Sequence, residues 1–370
     1  MKILWLTNIP SPYRVNFFNK LGQKCKLTVL FEKEASSERD KSWKNFQANY
    51  FTAVFLKGKD FGVAEAICPS VIKYLNKQYD HIVVTNYSDP TGMIAIIYMK
   101  LRGIAYEIEG DGAFPNKSSF LKFYIKKFFL SGAKLYFSTA KLHDEYYMLN
   151  GVQKEKIVRY PFTSVAEQDI LDNPITLEEK QEIRTRLNII EKYMILAVGQ
   201  FIPRKGYDTL IKATAYLDAD FGVYIIGGDV PEEYILMSEK LNCKNIYFIG
   251  FKNPDELNEY YKAADIFVHP TREDIWGLVV NEAMAKGVPV ITTDRCVAGM
   301  ELLTEQTGAI IPPNNEKLLG ETIKSVINQK KDETEILLKI RQYTLEKMVE
   351  KHLAVWEGES GNREDLEWGK

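Results

Sequence analysis

Residues 264–291 of this 370-residue chain read as strand, loop, helix and strand. The first strand ends near His269, the loop carries Glu273 and Asp274, and a helix runs from about Leu278 to Lys286 and Gly287. A helix start after a strand presents unpaired backbone N–H groups and the positive end of the helix dipole, a ready site for an anion. The loop through Ile275, the amides of Trp276, Gly277 and Leu278, and the close approach that Gly277 permits therefore form a candidate cradle for a group such as a diphosphate. Glu282, one and a half turns into the helix, is placed to accept hydrogen bonds from a polyol such as ribose.

A second strand-to-helix turn, Val198-Gly-Gln-Phe-Ile-Pro-Arg-Lys-Gly, brings Gly199, Arg204 and Lys205 to the kind of position where phosphates are bound. Glu107-Ile-Glu-Gly-Asp-Gly-Ala-Phe adds two further carboxylates, Glu109 and Asp111, which are either turn residues or groups that orient an acceptor hydroxyl. Asp218 and Asp220 imitate a metal-binding pair, but they fall between a helix and a strand and read as a turn. His143 reads as a surface-helix residue, and His269 as a core histidine or a donor contact.

These segments resemble glycosyltransferase family 4, retaining enzymes of GT-B fold that use nucleotide-diphosphate sugars. The resemblance rests on Glu282-Ala-Met-Ala-Lys-Gly-Val-Pro-Val and the Lys205-Gly turn, and it spans roughly residues 194–312. It implies that Glu282 holds the nucleotide ribose, that Lys205 neutralises the leaving diphosphate, and that Gly250 and Phe251 line the nucleobase. The family has a first Glu where this chain has Asp274, preceded by Glu273, so either of these would meet the donor sugar. It commonly has Arg where Gln200 stands, and Arg204 is the substitute. In the first half the chain departs from the family's Gly-rich turn, with Asn8-Ile-Pro-Ser-Pro-Tyr-Arg, and Glu109 and Asp111 stand where an acceptor-side His would be expected.

Such groups need two supporting sheets. Strand-length apolar runs at 3–6, 27–31, 53–56, 81–85, 104–108 and 135–138 alternate with helical spacing, as at Val71, Ile72 and Leu75, or from Met93 to Leu101 before Gly103. A polar stretch with prolines at 161 and 174 interrupts the series. Thr176 and Glu179 then form a capping-box start, and further strands follow at 194–198, 221–226, 246–249, 266–268, 288–292 and 308–310. The expectation is α/β: two Rossmann-like lobes with parallel sheets facing across a cleft whose closure excludes water. Residues 1–165 would form the acceptor-side lobe and 174–342 the donor lobe. Residues 343–370 would supply a helix crossing back and a polar tail from Gly358.

The net charge of −2 hides an asymmetry. Residues 1–165 carry 24 basic and 14 acidic side chains, a charge of +10, and residues 166–370 carry 24 and 36, a charge of −12. A basic lobe attracts anionic surfaces. Residues 114–130 interleave Phe, Tyr and Leu with Lys122, Lys126 and Lys127, consistent either with core packing or with a helix at an anionic membrane surface. Cys25, Cys68, Cys243 and Cys296 are isolated, which speaks against a disulfide or zinc framework. With no signal peptide or long apolar run, the expected place is the cytoplasm, peripheral to the inner membrane face.

The expected activity is transfer of a hexose-type unit from a UDP- or GDP-sugar to a hydroxyl of a glycan or lipid-linked acceptor, in polysaccharide or glycoconjugate synthesis. No metal or other cofactor is required. An epimerase of the same fold and a non-catalytic sugar-binding protein are the alternatives. No G-x-G-x-x-G follows the first strand, which disfavours a dinucleotide oxidoreductase, and no motif supports nucleic-acid binding.

Overall fold

The protein is described here from a computed structural model covering residues 1–34, 46–116, 119–243 and 245–358. Most of the expected polar tail therefore lies outside the described residues. The chain divides into two units: Met1–Ser164 with the stretch from Thr344, and Val165–Tyr343.

The first unit holds β1 (Lys2–Thr7), α1 (Pro12–Gly22), β2 (Lys26–Phe31), β3 (Thr52–Phe55), β4 (Lys59–Asp60), β5 (Ala66–Ile67), β6 (His81–Val84), α2 (Pro90–Arg102), β7 (Glu107–Glu109), α3 (Phe120–Leu130), β8 (Tyr136–Ser138), α4 (Lys141–Leu149) and β9 (Ile157–Arg159). Seven parallel strands run in the order β3-β2-β1-β6-β7-β8-β9, and β4 and β5 form a separate hairpin. The central strands β1 and β6 are buried almost throughout, as expected for a parallel sheet covered on both faces.

The second unit holds α5 (Leu177–Leu187), β10 (Tyr193–Val198), α6 (Tyr207–Ala213), β11 (Phe221–Ile226), α7 (Glu232–Lys240), β12 (Ile246–Ile249), α8 (Pro254–Ala263), β13 (Ile266–His269), α9 (Leu278–Met284), β14 (Val290–Thr293), α10 (Val297–Leu302), β15 (Gly308–Ile311), α11 (Glu316–Gln329) and α12 (Glu333–Ile340). Its six parallel strands run β12-β11-β10-β13-β14-β15. The last helix, α13 (Leu345–Glu357), returns to the first unit and packs on α1. There the ring of His352 stacks on Phe137 with centroids 4.4 Å apart, and Trp356 Nε1 donates to Glu107 Oε2 at 2.7 Å.

Three local expectations differ from the structure. The strand expected at 104–108 begins at Glu107. Gly103 closes α2 in the left-handed conformation, and the N–H of Ile104 is spent on Met99 O, so pairing with β6 starts only later. The helical spacing around Val71 makes a 3₁₀ turn, Pro69–Lys73. His143 is buried rather than on a surface, with its ring 4.3 Å from that of Tyr147. Asp218 and Asp220 do form a turn, Asp218 Oδ1 accepting from Asp220 N–H at 3.1 Å.

Candidate active site

In the second unit β10 and β13 are hydrogen-bonded neighbours running the same way, so the segments that leave their carboxyl ends lie side by side. Arg272 N–H donates to Arg204 O at 2.7 Å, the Thr271 hydroxyl to the same oxygen at 2.8 Å, and Arg272 Nη2 to Asp208 Oδ2 at 2.8 Å. Gly206 makes this approach possible. Its φ is +70°, and a Cβ there would stand 2.1 Å from Pro270 O.

The result is a buried ion pair. Lys205 Nζ donates to Asp274 Oδ2 at 2.6 Å, and His269 Nε2 donates to the same oxygen at 3.0 Å. Arg204 Nη1 lies 3.9 Å from it and also donates to Glu273 O at 3.3 Å. Asp274 is held by its backbone as well: its N–H bonds Arg295 O, its carbonyl accepts from Val297, and it bridges to Cys296. Burial pushes the Asp274 carboxyl up, but the His269 hydrogen bond and the Lys205 charge outweigh it and hold the group well below the usual carboxylate range. Burial, with Lys205 nearby, pushes His269 down, and because the ionised Asp274 carboxylate can only accept, its hydrogen bond places a proton on His269 Nε2.

Gly199 and Gly277 flank the pair. A Cβ on Gly199, at φ +144°, would meet Tyr207 Oη at 2.9 Å and Lys205 Cε at 3.7 Å. One on Gly277, at φ +100°, would meet Cys296 Sγ at 2.7 Å and Asp274 Cγ at 3.7 Å. The Trp276 ring is buried and donates from Nε1 to Asn281 Oδ1 at 2.8 Å. Its carbonyl accepts from Ala298 N–H, so the turn into α9 is fixed. Glu282, on α9, accepts from Tyr261 Oη at 3.1 Å. Ile275 is exposed and Leu278 half-buried. Gly250 and Phe251 follow β12, on the same carboxyl edge of the sheet, with Phe251 exposed and open space at Gly250.

Gly199, Arg204, Lys205, Asp274 and Gly277 thus come together, whereas Glu273 is exposed. Sequence reasoning missed the partnership of His269 with Asp274 and the buried Tyr207 hydroxyl, which has no hydrogen-bond partner among the described residues. It also missed the Arg272–Asp208 tie.

In the first unit Glu109 is completely buried at the end of β7. Both of its oxygens accept from Arg14 Nη1, at 2.9 and 2.7 Å. Burial pushes its carboxyl up to about 6 despite the opposing charge of Arg14. Asp111 accepts from Arg14 Nη2 and, at 2.7 Å, from Tyr13 Oη. With 28% of its side chain exposed, it is the more accessible of the two. The pairing of Arg14 with these carboxylates escaped the sequence reading, in which Arg14 only closes the segment from Asn8. The available signal was a charge on the same α1 face as Phe17, Phe18 and Leu21, which are all buried.

α3 leaves Phe120 and Leu121 78% and 71% exposed, with Tyr124, Ile125 and Phe128 also exposed, and Leu101 of the adjoining α2 is 80% exposed. Among the described residues no helix is long and apolar enough to cross a membrane.

Residues 179–344, the stretch that carries Lys205, Asp274 and Glu282, match the sequence model of the family described as glycosyl transferases group 1. Among individual proteins, the chain is 28% identical over 176 residues to the lipopolysaccharide glucosyltransferase WaaG of Escherichia coli K12, covering 46% of this chain and 45% of that one. It is 33% identical over 156 residues to the D-inositol 3-phosphate glycosyltransferase of Corynebacterium glutamicum strain R, covering 39% and 36%. The matched stretches therefore span less than half the length of these relatives. In fold, the chain is similar to Anabaena Alr3699/HepE, solved in complex with UDP, with a TM-score of 0.76 and 16% identity over 98% of this chain and 100% of that one.

Proposed function

We propose that the protein is a retaining glycosyltransferase that moves a hexose-type unit from a UDP- or GDP-sugar to a hydroxyl of a glycan or lipid-linked acceptor in polysaccharide or glycoconjugate synthesis. The observation that carries this reading is the buried Lys205 beside the Gly199 and Gly277 turns, at the carboxyl ends of adjacent parallel strands. Ligands of such sheets bind at that edge. The named activities of the relatives, and the UDP and UDP-glucose complexes of HepE, support a nucleotide-sugar donor.

In the proposed reaction the bond from the anomeric carbon to the diphosphate oxygen breaks and its electron pair leaves with the diphosphate. The acceptor oxygen bonds the anomeric carbon from the same face, and its proton passes to the departing phosphate oxygen. Lys205, Arg204 and the amides at Trp276–Leu278 offset the charge that develops on the diphosphate, as preorganised groups do where charge appears. No resident metal or other cofactor enters the scheme. Glu282 holds the ribose, Gly250 and Phe251 flank the base, and Glu273 or Asp274 meets the sugar. On the acceptor side Asp111 is the group to orient the hydroxyl, with Glu109 and Arg14 fixing its position. The apolar and lysine-bearing α3 is read as a contact with an anionic membrane surface at which a lipid-linked acceptor is met. The protein's proposed place is accordingly the cytoplasm, at the inner membrane face.

The test is calorimetric titration with UDP, GDP and their glucose and mannose conjugates. Saturable binding is expected for one base. Lys205→Ala and Glu282→Ala should each weaken it by about tenfold or more, the usual value of a hydrogen bond to a charged group. Unchanged affinity in both variants overturns the site.

A further inference from the structure

The ammonium that the proposed reaction needs is already occupied. Lys205 Nζ sits 2.6 Å from Asp274 Oδ2, and both side chains are about nine-tenths buried. A lysine there without a counter-charge would be costly, and its flexible four-carbon stem would not aim itself. Asp274 supplies both the charge and the aim. Its backbone is pinned on either side by Arg295 and Val297, and His269 grips the same oxygen from the floor of the site.

We infer that Asp274 is the resident counter-anion of Lys205, a positioning residue from which a nucleoside diphosphate takes the ammonium on binding and to which the ammonium returns when the diphosphate leaves. The inference rests on the donor-site reading above and goes beyond it, because it assigns the carboxylate to the lysine rather than to the sugar. Three observations support exchange of partners at this point. The Asp274 oxygen that holds Lys205 is also held by His269, so the carboxylate keeps one hydrogen bond when the lysine departs. The half-exposed Arg204 guanidinium, 3.9 Å away, stands ready as a second cation for the carboxylate that Lys205 vacates. The Tyr207 hydroxyl, fully buried and without a hydrogen-bond partner among the described residues, adjoins Gly199 beside the lysine stem, where it can donate to an incoming phosphate oxygen. Competition of two anions for one ammonium makes the affinity for diphosphate a difference between two pairings.

UDP and GDP lack the sugar, so their binding separates a role towards Lys205 from a contact with the transferred unit. Calorimetry on the full chain should show Asp274→Asn binding the preferred nucleoside diphosphate about tenfold more tightly than wild type. Asp274→Glu, which keeps the charge, should stay within about threefold of wild type. In transfer assays kcat and the donor KM of Asp274→Asn should fall together, because product leaves slowly. Unchanged or weaker diphosphate binding in Asp274→Asn overturns the inference. So does an unchanged diphosphate affinity with a raised KM for the nucleotide sugar, the signature of a sugar contact. Should Asp274→Asn not fold, crystal structures of the wild type with and without the diphosphate decide. Lys205 Nζ is expected to leave hydrogen-bond range of Asp274, and an intact pair with ligand bound overturns the proposal. Absence of any nucleoside diphosphate binding by the wild type would instead count against the donor-site reading itself.

Discussion

Among the buried carboxyls of the first unit, Glu109 and the Glu32–Asp89 pair stand in contrasting settings. Glu109 has Arg14 as its partner, and removing that arginine would strand a charge. Glu32 and Asp89 have each other. Both are buried at the carboxyl edge of the sheet, where Glu32 Oε2 accepts from Ala66 N–H and Asp89 Oδ1 caps α2 through Gly92. The two carboxyls also lie within hydrogen-bonding reach of each other, and Asp89 within reach of the Asn86 side chain. Burial, and then the neighbouring charge of Asp89, pushes Glu32 up, and burial does the same to Asp89. With its folded-state value above the unfolded one, the stability that Glu32 allows is complete below the ordinary glutamate range. It is lost as pH climbs through the raised value. Glu32→Gln removes that loss, which deepens by about 1.4 kcal/mol for each pH step of one between the two values. Thermal unfolding should therefore show the variant gaining on wild type between pH 5 and pH 8, and an advantage that stays level or shrinks refutes the assignment. Lys205 and Glu282 drew notice in the sequence because the Lys205-Gly206 turn and the run from Glu282 to Val290 resemble a known family. The Lys205–Asp274–His269 arrangement was not, since a pairing across 69 positions leaves no local trace.

Elements were most legible where chemistry is local. The capping box of Thr176 and Glu179 stands as read, each side chain bonding the other residue's backbone N–H, and Gly103 closes α2 in the left-handed region. They were least legible where a neighbour decides, as at residues 104–106, whose apolar character suits a strand but which finish a helix first. The same dependence on neighbours governs the 3₁₀ turn Pro203–Lys205. Its place against the β13 loop is set by the space at Gly206 rather than by its own residues. Gly206→Ala would drive a methyl into Pro270 O from a strained left-handed backbone, costing about 1–3 kcal/mol. Denaturant melts should record that loss, and diphosphate binding should weaken with it. A variant of wild-type stability and affinity would show that the two loops do not need their close approach.

At the scale of the whole molecule the two parallel sheets were readable because strand-length apolar runs alternate with helical spacing along most of the chain. The charge asymmetry was equally visible, but whether residues 114–130 belonged to the core or the surface was not, since periodicity looks the same in both settings. Of that stretch, 117–118 lie outside the described residues, and α3 exposes its aromatic face. The proposed membrane contact then predicts binding to vesicles containing anionic lipid. Replacing Lys122, Lys126 and Lys127 together with Gln should weaken it by about 1 kcal/mol for each charge. Equal binding to neutral and anionic vesicles in a sedimentation assay would dismiss the electrostatic part.

The return of α13 to the first unit has a consequence for synthesis on the ribosome. Val165–Tyr343 is one uninterrupted stretch and can close as soon as it emerges. The earlier-made sheet must wait for His352 and Trp356, nearly two hundred residues later, before Phe137 and Glu107 find their partners. Of the two units the amino-terminal one is thus translated first and finished last, and for that interval its unfilled seam stands open to solvent.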